Sequence, residues 1–179
     1  ILLYLSITAI AVGFIAIFLI TLYPLMKRIT YFPQAFLGIT FNMGCLIGYA
    51  AVKDAISSDS IILYVACGFW TMGYDTIYAF MDIKDDKKIG IKSTAILFEK
   101  SNFKLAIAVF YTLFLTLFMF AIRNFLSIYV IFAVLASLLV ILWIIIYLDI
   151  NNPKNCLIRF KANNYIGFLL FLAMLLEKL

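Results

Sequence analysis

Asp75, Asp82, Asp85 and Asp86 gather four of the chain's nine acidic residues into twelve positions. At about 100° per residue, a helix through this stretch brings Asp75, Asp82 and Asp86 within roughly 40° of one face. The i to i+4 step from Asp82 to Asp86 puts those two on successive turns. Crowded carboxylates repel one another, so a cation is needed to hold them together. An all-oxygen donor set suits a hard divalent ion, above all Mg²⁺, which bridges one or two carboxylates to a substrate's phosphates. The bland alternative is a solvated helix end paired with Lys84, Lys87 and Lys88. Asp75 argues for the metal, because it lies about 9 Å inside an apolar segment, counting back from Met81. The cluster of Asp75, Asp82, Asp85 and Asp86 is therefore expected to bind the metal.

Cationic and aromatic residues near this cluster have two readings each. Lys27 and Arg28 either set topology or bind a substrate carboxylate or phosphate, Arg28 in bidentate fashion. Lys92 and Ser93 either face a phosphate or decorate an interfacial segment. Tyr74 and Tyr78 flank Asp75, as membrane-interface aromatics or as rings that stabilise a developing cation. The three cysteines, Cys45, Cys67 and Cys156, show no metal-type spacing. The chain has no histidine, so histidine-based catalysis is excluded within it.

The elements that must position these residues are membrane helices. Hydrophobic residues make up 66% of the 179 and charged ones 13%, with a mean hydropathy of +1.13, far from globular averages. Charge-free runs cover Leu2–Met26, Ile29–Val52, Ser60–Tyr74, Leu105–Ile122, Asn124–Leu148 and Ala162–Leu176. A span needs about 20 residues. The third run reaches that length by continuing to about Met81, and the short sixth by tilting or by extending back into the polar segment before it. The fold expected is all-α, one domain over residues 1–179, with six transmembrane helices.

With alternating helices, the connections after the first, third and fifth hold eleven of the fourteen basic residues, against Lys53, Arg123 and Lys178 on the other side. The positive-inside rule places the eleven, and with them the aspartates, in the cytoplasm. The net charge of +5 is thus mostly topology. No aromatic-basic interleaving favours nucleic acid as a partner. Ile1 opens the chain within an apolar run, without an initiator Met, which leads us to expect N-terminal truncation.

Pro24 precedes Lys27-Arg28 and is expected to bend or end the first helix, while Pro33 suits the first turn of the second. That second helix carries Gly38, Gly44 and Gly48, residues that permit close helix contact. The stretch from Ile83 to Asn102 is basic and then amphipathic, as a short interfacial helix or cap over the aspartates would be. Asn151-Asn152-Pro153 is expected to end the fifth helix.

Tyr74-Asp75-Thr76, Tyr78-Ala79, Asp82, Asp85-Asp86 and Ile89-Gly90-Ile91-Lys92-Ser93-Thr94-Ala95 together closely resemble the second aspartate-rich motif of UbiA-type membrane prenyltransferases. Within that family they are most similar to the 4-hydroxybenzoate polyprenyltransferases of ubiquinone biosynthesis. Tyr23-Pro24-Leu25-Met26-Lys27-Arg28 with Pro33-Gln34, and Asn163-Asn164-Tyr165-Ile166-Gly167, are similar to further family signatures. The resemblance runs the whole chain and implies the last six of nine helices, so the first three, with their own aspartate motif, would be missing. It implies that Asp82 and Asp86 hold Mg²⁺ against a polyprenyl diphosphate and that Lys27 or Arg28 orients 4-hydroxybenzoate or assists the leaving group. It further implies the inner (cytoplasmic) membrane of a bacterium, with the active site facing the cytoplasm. The 179 residues alone would then be inactive. Two departures stand out: no Asn-Asp-x-x-Asp occurs, and Lys84 stands where relatives often have a third aspartate.

Other readings are a family member with another acceptor, as in menaquinone or haem side-chain synthesis, and a non-catalytic membrane remnant. A CDP-alcohol phosphotransferase lacks its Asp-Gly-x-x-Ala-Arg lead-in here. A cation transporter would carry polar groups through several spans, whereas five of the six lack acids in their middles.

Overall fold

In the computed structural model, residues 5–177 are described, and no strand occurs among them. Eight α-helices follow in order: α1 (Ile7–Ile29), α2 (Pro33–Phe41), α3 (Met43–Lys53), α4 (Ser58–Lys88), α5 (Thr94–Phe98), α6 (Phe103–Ala121), α7 (Ile128–Ile146) and α8 (Pro153–Leu176). The expectations placed on Ile1 and Lys178 fall outside the described residues.

Polar contacts at the helix ends define two poles. At one, the Ser6 hydroxyl donates to Ala50 O, Thr8 N to Asp54 Oδ1, and Arg123 pairs with Asp59 at 2.7 Å. At the other, Lys92 N donates to Lys27 O, Lys104 Nζ to Ile146 O, and Lys87 pairs with Glu99. The chain therefore crosses between poles six times, with α2 and α3 sharing one crossing. The basic connections collect at the second pole, as alternation requires.

Five crossings are long and apolar enough to span a membrane; the sixth, α4, is not among them. At 31 residues it is the longest helix, but Asp75 and several hydroxyl and glycine residues lower its hydropathy. The six-span expectation is thus met in path and exceeds by one what length and apolarity support.

Local chemistry explains most boundaries. Ser57 and Ser60 form a capping box that starts α4. Pro33 occupies the first turn of α2, where its missing N–H is not needed. Pro24 neither ends nor interrupts the assigned helix, since α1 runs on to Ile29. Asn152 caps α8 by accepting from Lys154 N and Asn155 N, so Pro153 begins this helix rather than ending the one before. That extends α8 back through Arg159 and Asn163 and gives it its spanning length.

The second crossing is broken, which its composition did not suggest. At Asn42 the backbone leaves helical geometry (φ −89°, ψ 5°), and the side-chain amide donates to Gly38 O and to Thr71 Oγ1, both at 2.8 Å. One turn earlier α2 meets α4 almost backbone to backbone: a Cβ on Gly38 would stand 2.8 Å from Gly68 O. The larger core joins α4, α6, α7 and α8 around Ile77, Phe80, Tyr111, Phe114 and Ile144. A smaller one joins α1 to α3 through Val12, Ala16, Met43 and Leu46. Phe14, Phe18, Leu139 and Phe171 are exposed, which suits helices surrounded by lipid.

Candidate functional site

The acidic end of α4 meets the end of α1 because the segment after α4 is sewn to the α1–α2 junction. Lys92 N donates to Lys27 O at 2.8 Å and Lys92 Nζ to Ile29 O at 3.1 Å. Thr94 N donates to Gln34 Oε1 at 3.1 Å, and the Thr94 and Thr76 hydroxyls are 2.7 Å apart. Gln34, Thr76, Ser93 and Thr94 are all buried, so this network fixes three elements against one another. Ser93 caps α5 by accepting from Ile96 N, and α5 is the short helix expected beside the aspartates.

The junction brings Lys27 within Coulomb range of Asp75 and Asp86, and Asp82 is within range of both. Tyr23, half-buried on α1, also faces Asp75 electrostatically. Asp82 is exposed, Asp75 partly buried and Asp86 buried. Among the described residues, the side chains of these three accept no hydrogen bond and enter no salt bridge. Asp86 lies at the C-terminal end of α4, past its apolar part. Burial raises its carboxyl above the ordinary carboxylate range, Lys27 opposes that rise, and Asp82 and Asp85 reinforce it.

Other expected residues are placed differently. Asp85 pairs with Lys88 at 3.0 Å on the exposed side of the helix. The Lys92 ammonium donates to Ile29 O, the last carbonyl of α1, and lies 5.4 Å from the Tyr31 ring centroid, a structural use of its charge. Arg28 is exposed at the end of α1. Tyr78 is exposed and rests against Phe160 at 5.0 Å between ring centroids, while Tyr74 packs between Trp70 and Phe160.

Among the described residues, no three carboxylate or thiol side chains converge closely enough to form a metal cage. The donor set nonetheless fits a hard divalent ion. Such an ion keeps several waters and uses one or two carboxylates plus substrate phosphate oxygens, without needing a closed protein cage. Asp82 and Asp86 offer that pair.

Above the aspartates a cavity of about 470 Å³ opens between α2, α4 and α8, lined by Phe41, Asn42, Trp70, Tyr74, Asn163 and Gly167 among others. Asn163 is its polar anchor. Its Oδ1 accepts from Trp70 Nε1 and from Tyr111 Oη, each at 2.9 Å, and its amide donates to Arg159 O and Phe160 O. Gly167 is required beside it, since a Cβ there would stand 2.9 Å from the Trp70 ring. The Asn163-Asn164 pair was visible in the sequence; its partners Trp70 and Tyr111 were not, being apolar-run aromatics among many.

An all-helical membrane protein with unpaired carboxylates and a facing lysine at one pole, and an aromatic cavity behind them, is the class that fold and site define. The sequence model of the UbiA prenyltransferase family matches residues 1–175. The mitochondrial 4-hydroxybenzoate polyprenyltransferase of Bos taurus is 41% identical over all of this chain and 48% of its own length. The 4-hydroxybenzoate octaprenyltransferase of Francisella tularensis subsp. holarctica is 34% identical over 98% of this chain and 62% of its own. The solved apo structure of a UbiA homolog from Aeropyrum pernix K1 aligns with a TM-score of 0.81, covering 99% of this chain and 67% of that one at 22% identity, a likeness of fold. The chain belongs to the UbiA prenyltransferase family. It spans about half the length of the Bos taurus relative.

Proposed function

We propose that this chain takes part in transferring a polyprenyl group from a polyprenyl diphosphate to 4-hydroxybenzoate, as in ubiquinone biosynthesis. The names of its relatives support the substrates. The observation that carries the reading is the set of unpaired carboxylates at one pole of a membrane bundle, Asp75 and Asp86 near Lys27 and Asp82 near both acids. Charges left without partners at the edge of a bilayer are costly unless a ligand compensates them.

Asp82 and Asp86 would hold Mg²⁺, with Asp75 supporting. When bound, that ion supplies positive charge against the diphosphate oxygens. Lys27 attracts the departing diphosphate or the acceptor's carboxylate, and Arg28, free at the helix end, serves the same anions from the water side. The aromatic walls around Trp70 and Tyr74 offer the prenyl chain an apolar bed and exclude water from an allylic cation. The ring carbon ortho to the acceptor hydroxyl forms the new C–C bond as the C–O bond to diphosphate breaks, and the ring proton then leaves. Because one acidic segment compensates only one flank of a diphosphate, residues 1–179 alone are proposed to be inactive.

The membrane is proposed to be the inner membrane of a bacterium, with the acidic pole facing the cytoplasm. Cysteines introduced at Lys87 and Lys154 should label from the cytoplasm, and those at Ser58 and Asn124 from the opposite side. Labelling of all four from one side would overturn the arrangement. The chemistry is tested by Asp82→Asn and Asp86→Asn in protein competent for transfer. Each keeps side-chain size and removes charge, so Mg²⁺-dependent product should disappear while membrane insertion stays normal. Unchanged turnover in both would remove the metal assignment.

A further inference from the structure

Two cysteines, unremarkable in the sequence, meet in the middle of the bundle. Cys45 on α3 directs its thiol at Cys67 on α4, with the sulfurs 3.8 Å apart. Both thiols are free and partly buried. Cys67 lies nine residues into α4, about 14 Å from its outer end, and Cys45 lies eight residues before Lys53, about 12 Å from the same pole. The two depths agree and fall near the middle of a hydrocarbon core about 30 Å thick. Neighbouring ties hold the broken second crossing in register with α4: the Tyr64 hydroxyl donates to Ile39 O at 2.7 Å, and the Asn42 amide donates to Thr71 Oγ1, whose own hydroxyl donates to Cys67 O at 3.0 Å. Cys156 is buried in α8 and hydrogen-bonds to Asp149 O, so it is spent elsewhere.

We propose that Cys45 and Cys67 form a two-thiol site inside the bilayer, closable into a disulfide that ties α3 to α4. Bringing the sulfurs from 3.8 Å to a bonding distance of about 2.0 Å takes a small side-chain adjustment. In closure the two thiols form one S–S bond and lose two hydrogens to dioxygen, which dissolves in lipid and is reduced to hydrogen peroxide. Without oxidation the same pair takes a trivalent arsenical: two S–As bonds form and the arsenoso oxygen leaves as water. Either event pins α3 one turn beyond the Asn42 break, and so fixes one wall of the 470 Å³ cavity that Phe41 and Asn42 line. This site is independent of the proposed prenyl transfer.

The test uses the chain in lipid nanodiscs with dioxygen and copper–phenanthroline as catalyst, followed by maleimide blocking and non-reducing peptide mass spectrometry. A Cys45–Cys67 cross-linked peptide, short of two hydrogens, is expected in the wild type and absent from Cys45→Ser and Cys67→Ser. Cys45→Ala repeats the control where a serine hydroxyl disturbs packing. Phenylarsine oxide should protect both thiols from maleimide at concentrations at least about 100-fold below those needed for either single variant, because only the pair can chelate. Cys45 and Cys67 remaining individually alkylated after oxidation, or equal arsenical protection in wild type and single variants, overturns the proposal.

Discussion

At its outer end α4 commits Asp59 to Arg123 at 2.7 Å across the bundle; at its inner end Asp75, Asp82 and Asp86 stand without such partners. The same helix, capped and packed by the same rules, treats its carboxylates in opposite ways. Between Asp59 and Asp75 its polar residues are committed, with Thr71 bonded to Asn42 and Trp70 to Asn163, and just beyond Asp75 the Thr76 hydroxyl bonds to Thr94. A membrane protein with no water to hydrogen-bond its interior must satisfy its polar groups internally. On α4 the satisfied groups serve architecture, and the unpartnered carboxylates are the ones proposed to await a ligand. The contrast separates site from scaffold more sharply than burial does, since Asp86 and Thr76 are both buried.

The largest expected effect breaks the inner end. In protein competent for transfer, Asp82→Asn or Asp86→Asn should lower prenyl transfer on the order of 10³-fold with unchanged protein abundance, whereas Asp59→Asn should leave the rate within twofold. A rate loss from Asp59→Asn equal to that from Asp86→Asn would erase the distinction between the two ends.

The middle of the helix should answer in stability. Asn163→Leu removes the oxygen shared by Trp70 Nε1 and Tyr111 Oη, orphaning the buried tyrosine hydroxyl at about 1–3 kcal/mol and the partly buried indole N–H at less. The thermal midpoint in detergent should fall markedly. Unchanged melting would show that water or lipid replaces the asparagine.

A subtler expectation concerns the Thr76–Thr94 pair. Either valine variant alone should destabilise by about 1–3 kcal/mol, because one hydroxyl loses its partner in a buried place. The double variant should cost less than the sum, and a double-mutant cycle in detergent unfolding measures that coupling. Strict additivity would mean that the 2.7 Å contact contributes nothing.

The smallest effect belongs to the outer pair. Breaking Asp59–Arg123 should cost about 0.2–1 kcal/mol, as exposed ion pairs do, and less in high salt. Titrating detergent-solubilised Asp59→Asn against wild type at two ionic strengths reads it directly.

Much of this protein follows from local rules that need no fold. A period of 3.6 residues puts Asp75, Asp82 and Asp86 on one face wherever the helix goes. Long apolar runs set the crossings, and the lopsided placement of lysines sets the direction expected of them, because bilayer thickness and charge act on each segment nearly alone. Tertiary structure decided what depends on distant partners. It brought Lys27 near carboxylates 48 or more residues away. It used Lys92 to cap the end of α1. It broke the second crossing at Asn42, where a single amide bonding to both Gly38 and Thr71 outweighs helical continuity. It joined Trp70 and Tyr111 on one oxygen of Asn163. None of these pairings leaves a periodic trace in the sequence, since each is specified by the packing of helices that only meet once the bundle has formed.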